Sequence, residues 1–221
     1  MKFDYRKAAF AQEMLRKKVT LKPLKGFKFV GGCDLTFLNP FKTPTTGIAC
    51  FVVLKFPSLE VVEISYAFME VKVPYVPGFL AFREVPLLIK AYSRLSLKPD
   101  VIIVDGQGIA HPRRVGLASH FGVVMGLSTV GCAKKPLFGE FDYPCDDAGC
   151  FSYIKDPSSE EVIGVVLRTK KAVKPVFVSP GNFSDVETSK DLIINCCRGY
   201  RLPEPVRLAH NLLTRKRKDL L

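Results

Sequence analysis

A chain of 221 residues, 48% hydrophobic and 24% charged and without a low-complexity tract, has the composition of an ordered soluble protein; intrinsic disorder is excluded, and the length favours one domain over residues 1–221 rather than two. Thirty-three Lys and Arg against 21 Asp and Glu leave a formal charge of +12, which favours a polyanionic partner such as nucleic acid, although a merely solvated basic surface explains the same balance. Seven cysteines, an odd count with no CxxC pair, signal neither a disulfide scaffold nor a zinc site; they read as small buried hydrophobes in a reducing cytoplasm.

At the start, Lys2, Arg6 and Lys7 precede no apolar run of leader type, because Gln12, Glu13, Arg16, Lys17 and Lys18 interrupt it, so the start reads as mature. Ala8, Ala11, Leu15 and Val19 recur at spacings of three and four, which predicts an amphipathic helix over 4–18. "FKFVGGCDLTF", "GIACFVVLKF" and "VVEISYAFMEV" are rich in Val, Ile and Phe and read as a three-stranded antiparallel meander. Pro74 and Pro77 break that pattern. "GFLAFREVPLLIKAYSRL" then has a helical rhythm, with Pro86 as an early-turn or kink residue.

"KPDVIIVDG" holds a short, continuous apolar run of the kind a central strand covered on both faces displays. The uncharged stretch Val115–Ala133 has nearly the length of a membrane span, yet His120, Ser119, Ser128, Thr129 and four glycines make it a buried helix over 116–125 followed by a strand over 128–133. "CDDAGCFSYIKDPSSEE" is a surface loop with short strands. Strands follow near 162–168 and 175–178, then a helix over 184–197 capped by Ser184, and a last helix in "LPEPVRLAHNLLTRKRK" with Pro205 near its first turn and a basic end. The order is mixed α/β.

Gly106 and Gly108 give G-x-G after a strand, but His111 stands where a dinucleotide fingerprint needs Gly or Ala. Asp105 directly precedes the first glycine, where a bare anion repels phosphate unless a divalent cation lies between. This turns the motif from a nucleotide cradle towards a metal nuclease, against the plainer reading of Asp105 as a turn or capping residue. Asp34 ends the first strand after Gly31 and Gly32. Were it beside Asp105, with Glu84 arriving from the helix, the oxygen-rich site would suit Mg²⁺ or Mn²⁺. On its own terms Glu84, next to Arg83, reads first as an exposed helical charge.

Four runs, "PYVPGFLAFRE" (Pro74–Glu84), "VDGQGIAHPRRVGLASHFG" (Val104–Gly122), "STVGCAKKPLFG" (Ser128–Gly139) and "GYRLPEPVRLAH" (Gly199–His210), closely resemble endonuclease V, in order and over most of the chain. The resemblance implies an α/β, RNase H-like mixed sheet, an antiparallel meander plus parallel strands, flanked by helices. It also implies a metal-dependent nuclease that nicks DNA at the second phosphodiester bond 3′ to a deaminated base, chiefly deoxyinosine, leaving a 3′-hydroxyl and a 5′-phosphate.

Carried over to this chain, the family's carboxylates fall on Asp34 and Asp105 as metal ligands and on Glu84 as ligand or positioner of water, its late histidine on His210 as ligand or proton donor, and its lysine on Lys134, which holds the scissile phosphate or steadies the leaving group. Tyr75, between Pro74 and Pro77, matches the wedge that enters the duplex; a plain aromatic lid over the core is the ordinary alternative. Backbone groups around Leu80, Gly106, Gly116, Ala133 and Leu137 are implied to form the base pocket. Arg113 or Arg114 is expected on backbone phosphate, His120 as a hydrogen-bonded structural residue, and Arg215–Lys218 as either a duplex-tracking patch or a solvated helix end.

Gln107 departs from a family stretch that commonly reads VDGHG, and it cannot supply a cation there. The expected partners are damaged DNA and no membrane, with the chain acting as a cytoplasmic monomer. Inosine-containing RNA is the alternative substrate, a non-cleaving damage-binding module the alternative class, and thiol chemistry at Cys132 a weaker one.

Overall fold

The computed structural model describes residues 3–220, so Lys2, weighed above as part of a leader, lies outside them. In chain order the elements are α1 (Tyr5–Arg16), β1 (Phe29–Phe37), β2 (Thr45–Lys55), β3 (Glu60–Val71), α2 (Leu80–Ser93), β4 (Val101–Val104), α3 (Leu117–Met125), β5 (Ser128–Ala133), β6 (Phe151–Lys155), β7 (Val162–Leu167), β8 (Val176–Asn182), α4 (Val186–Asn195) and α5 (Glu204–Lys218). All eight strands form one sheet in the order β3-β2-β1-β4-β5-β8-β7-β6. The meander β1–β3 is antiparallel, β4 and β5 run parallel to β1, and β8, β7 and β6 return antiparallel.

The alternation of side chains along a strand explains why the central strands are apolar throughout. In β2, Ile48, Cys50, Val52 and Leu54 face a core shared with Leu192 and Ile193 of α4 and with Val206, Ala209 and Leu213 of α5. Its other face turns Ala49, Phe51 and Val53 to a second core with Leu87 and Leu88 of α2 and Phe121 of α3. β4 divides likewise, Val101 and Ile103 to one side, Ile102 and Val104 to the other. Helices therefore cover both faces, and the sheet's middle is removed from water on each side. Among the described residues no helix is long and apolar enough to cross a membrane.

The helix boundaries have local causes. Asp4 caps α1, its carboxylate accepting from the Arg6 and Lys7 amides. α2 runs through Pro86, seven residues in, rather than starting there. Gly126 closes α3 in the left-handed conformation. The expected Ser184 cap is corrected: Asp185 caps α4 by accepting from the Thr188 amide, while the Ser184 hydroxyl is buried and donates to the Thr129 carbonyl.

The cysteine expectation is corrected at two positions. Cys33, Cys50, Cys132 and Cys196 are buried as free thiols, but Cys145 and Cys150 form a disulfide in the loop ahead of β6. A pair five residues apart closes a local loop, and neither residue count nor motif announces it.

Candidate active site

The parallel pairing of β1 with β4 sets Cys33 beside Val104, and the ladder continues with the Asp105 amide donating to the Cys33 carbonyl at 3.1 Å. Asp34 and Asp105, each one residue further on, consequently meet side by side; β4 stops at Val104, but β1 runs on to Phe37 because it stays paired with β2, so the expectation that Asp34 ends its strand is corrected. α5 packs across β1 and brings His210 down on the pair, its Nδ1 2.7 Å from Asp34 Oδ2. One donor atom from each of Asp34, Asp105 and His210 lies within 4.8 Å of the other two. Lys134, just past the end of β5, donates from Nζ to Asp105 Oδ2.

Glu84 enters from the second turn of α2. It is half-buried, lines the same cleft as Asp105, and is held up at about 8, first by desolvation and then by the charges of Asp34 and Asp105. Asp105 is raised first by desolvation and then by the charge of Asp34, with Lys134 opposing them. His210 is raised, first by its hydrogen bond to Asp34. The cleft thus gathers three carboxyl groups whose crowding and burial disfavour full ionisation unless a cation lies among them.

Beside the cluster lies a cavity of about 330 Å³. Leu80, Gly106, Gly116, Ala133 and Leu137 all line it, as do Glu84 and Asp105. Its wall is backbone in close contact with backbone. A Cβ on Gly116 would sit 2.3 Å from the Gln107 carbonyl oxygen, so only glycine lets the start of α3 pass there. Gln107, the departure noted above, donates from Nε2 to the Lys135 carbonyl at 2.9 Å and so ties the end of β4 to the loop carrying Leu137.

The turn Pro74–Gly78 overhangs the cavity, with Tyr75 49% exposed at its tip. A single carbonyl anchors it: Gly78 O accepts from Gln12 Nε2 at 3.0 Å, Arg113 Nη2 at 2.8 Å and His111 Nε2 at 3.2 Å. His111 Nδ1 accepts from the Arg113 amide, which fixes the ring proton on Nε2. Gln12 and Gly78 are site residues that sequence reasoning misses, Gln12 because it sits in an otherwise basic, surface-type helix. Arg201 is another. It donates to the Lys134 and Pro175 carbonyls and steadies the strand end that carries the lysine.

Of the two arginines expected on phosphate, Arg114 is corrected, whereas Arg113 stays part-exposed beside the cavity. Arg114 is 7% exposed and turned inward, its guanidinium forked onto Asp156 and Glu161. Arg113 lies over the Phe79 ring and is engaged by Gln12 and Gly78. His120 is buried as expected, but it packs edge-on against Phe82 and its Nδ1 has no hydrogen-bond partner.

His111 and His120 are both pushed down to about 4, first by burial, with the Arg113 charge adding to the effect at His111. Unfolded histidine titrates near ~6.5. Between those values the unfolded chain binds more protons than the folded one, so stability is whole above about pH 6.5 and falls as pH drops towards about 4. The expected slope in that window is about 1 kcal/mol per pH unit for each histidine. Urea midpoints at about pH 7 and about pH 5 measure it; His120→Leu should flatten the fall, and a midpoint indifferent to pH would refute the assignment.

A mixed, helix-covered sheet with Asp34 and Asp105 side by side on its adjoining central parallel strands has the architecture of the RNase H-like class. Comparison with known proteins narrows the class: a family model described as Endonuclease V matches residues 13–211, and the chain belongs to the endonuclease V family. It is 46% identical to the endonuclease V of Dictyoglomus turgidum over 93% of this chain and 88% of that protein. The crystal structure of endonuclease V from Streptomyces avermitilis superposes with a TM-score of 0.89 at 36% identity, covering 99% of this chain and 95% of that one. Endonuclease V of Ciona intestinalis, solved in complex with a 24mer DNA containing an inosine followed by a ribo-adenosine, superposes with a TM-score of 0.84 at 26% identity, covering 99% of this chain and 100% of that one.

Proposed function

We propose that this chain is a divalent-cation-dependent DNA-repair endonuclease, acting as a monomer on duplexes that contain a deaminated base, chiefly deoxyinosine. It takes hypoxanthine into the cavity and hydrolyses the second phosphodiester bond on the 3′ side, leaving a 3′-hydroxyl and a 5′-phosphate. The observation that carries this reading is adjacency: the Asp34–Asp105–His210 cluster and the 330 Å³ cavity share Asp105, and Glu84 lines the same cavity. The inosine-containing DNA bound by the Ciona relative supports the choice of lesion.

The donor set fits Mg²⁺ or Mn²⁺. Oxygen ligands predominate, and Glu84 and Asp105 are pushed upward first by burial and then by the charge of Asp34, effects that a bound cation would oppose. Asp34, Asp105 and Glu84 would hold it, with His210 as a further ligand or a proton donor. Such an ion supplies Lewis acidity at the phosphate and makes water a better nucleophile.

The remaining work falls to the chain itself. Lys134 sets a cation where the scissile phosphate must lie, and Arg201 keeps that lysine's backbone in place. Backbone amides in the cavity wall can donate to the O6 of hypoxanthine; facing the exocyclic amine of adenine, the same amide would meet another donor and be left unpaired. Flipping costs a few kcal/mol, less for a mispair, and Tyr75 on its proline-stiffened turn fills the gap left in the stack.

The test is nicking of a duplex with a single deoxyinosine in the presence of Mg²⁺, with the cut position mapped. Cleavage immediately 3′ of the lesion's 3′ neighbour is expected, slowed about 10²–10³-fold in Lys134→Ala. A band shift without product would leave only a binding module, and faster cutting of a matched inosine-containing RNA would move the substrate to RNA.

A further inference from the structure

We propose that Phe41 is a second aromatic of the wedge, stacking on duplex bases beside Tyr75 and helping to hold the strands apart while the lesion is out of the helix; this rests on the endonuclease reading above. Phe41 is 84% exposed, in a chain that buries Phe51 and Phe121 completely. It stands at the tip of the β1–β2 connection and makes an edge contact with Tyr75, ring centroids 5.8 Å apart at 68°. Two loops separated in sequence by the whole β2–β3 hairpin therefore meet through their aromatic tips.

The connection is built rather than loose. The Leu38 amide donates to the Thr46 carbonyl at 3.0 Å, the Asn39 amide to Thr45 Oγ1 at 3.1 Å, and the Lys42 amide to the Asn39 carbonyl at 3.1 Å. Pro40 and Pro44 bracket the ring and restrict its backbone, and Arg217 of α5 donates to the Leu38 carbonyl. Little ordering entropy then opposes insertion.

Placement ties the ring to the cleft. β1, which leads into this loop, carries Asp34; α2, which follows the Tyr75 turn, carries Glu84. The neighbours favour a nucleic acid as occupant. Lys42, Thr43 and Pro44 are exposed, and Arg217 and Lys218 lie on the helix that holds the loop, so the ring is a single apolar plate amid cations and polar groups. A protein interface would bury a broader apolar centre, whereas a stacked base needs one ring and charges for its phosphates.

Single-turnover nicking by Phe41→Ala and Phe41→Trp, on a deoxyinosine duplex and on the same lesion in a single strand, tests the proposal. The alanine variant should lose about tenfold on the duplex, the scale of one lost base–aromatic stack, and far less on the single strand, which has no partner to hold off. Tryptophan should retain the duplex rate. Duplex rates equal to wild type, or equal losses on both substrates, would overturn the role of Phe41. A wild-type protein inert on both substrates would instead bring down the endonuclease reading, and this inference with it.

Discussion

Asp105→Asn is expected to abolish nicking, by on the order of 10³-fold or more, while leaving the fold and lesion binding in place. The amide keeps the volume and one oxygen of the carboxylate, so the Lys134 contact can survive. What disappears is the anion that lies against both Asp34 and the cavity. Because burial and Asp34 already hold the Asp105 carboxyl above its ordinary range, removing that charge relieves repulsion, and thermal stability should hold or rise. Inactivity with undiminished stability separates loss of a functional group from loss of structure. Nicking rates, a melting curve and a band shift on an inosine duplex measure the three quantities; substantial Mg²⁺-dependent cleavage by the variant would defeat the assignment.

Gly32→Ala should damage the site from the opposite direction, through packing. A Cβ on Gly32 would lie 2.1 Å from the carbonyl carbon of Pro205 and 2.2 Å from its oxygen. These are backbone atoms in the first turn of α5, so no side chain can swing aside. The helix must lift from β1, at a cost of about 1–3 kcal/mol or more, which corresponds to a fall of roughly 3–10 °C in Tm. His210 rides on the same helix and leaves Asp34, so activity should drop about tenfold or more even at temperatures where the variant is folded. An unchanged Tm would mean that α5 accommodates the methyl group, and that the close approach is not what seats His210.

The sequence makes much of the architecture legible because burial leaves a periodic trace. α1 and the β1–β3 meander follow from spacing, and "VIIV" announces a strand covered on both faces. β8 is harder. It continues through "SPGN" to Asn182, where proline and glycine usually break a strand, because Thr129 and Ser184 replace part of the ladder with side-chain hydrogen bonds and β5 shifts register beside it. Asp34 and Asp105 stand out as lone acids directly after apolar and glycine-bearing runs, but that β1 continues past Asp34 and lies beside β4 are tertiary facts. Glu84 is ambiguous until α2 is seen to turn it into the cleft, and His210 and Lys134 enter only through resemblance to a family. Arg114 shows the limit most clearly: its partners Asp156 and Glu161 lie more than forty residues on, and no local pattern reveals that an arginine beside a presumed phosphate site faces the interior.

The clasped carbonyl of Gly78 has a mechanical consequence. Helix α1 and the segment after β4 grip the same oxygen, so the spacing between the ring that would pry a duplex open and the socket that would receive the extruded base is set when the chain folds. A damaged site is then measured against a fixed gauge, and the misfit of an intact pair has to be absorbed by the nucleic acid.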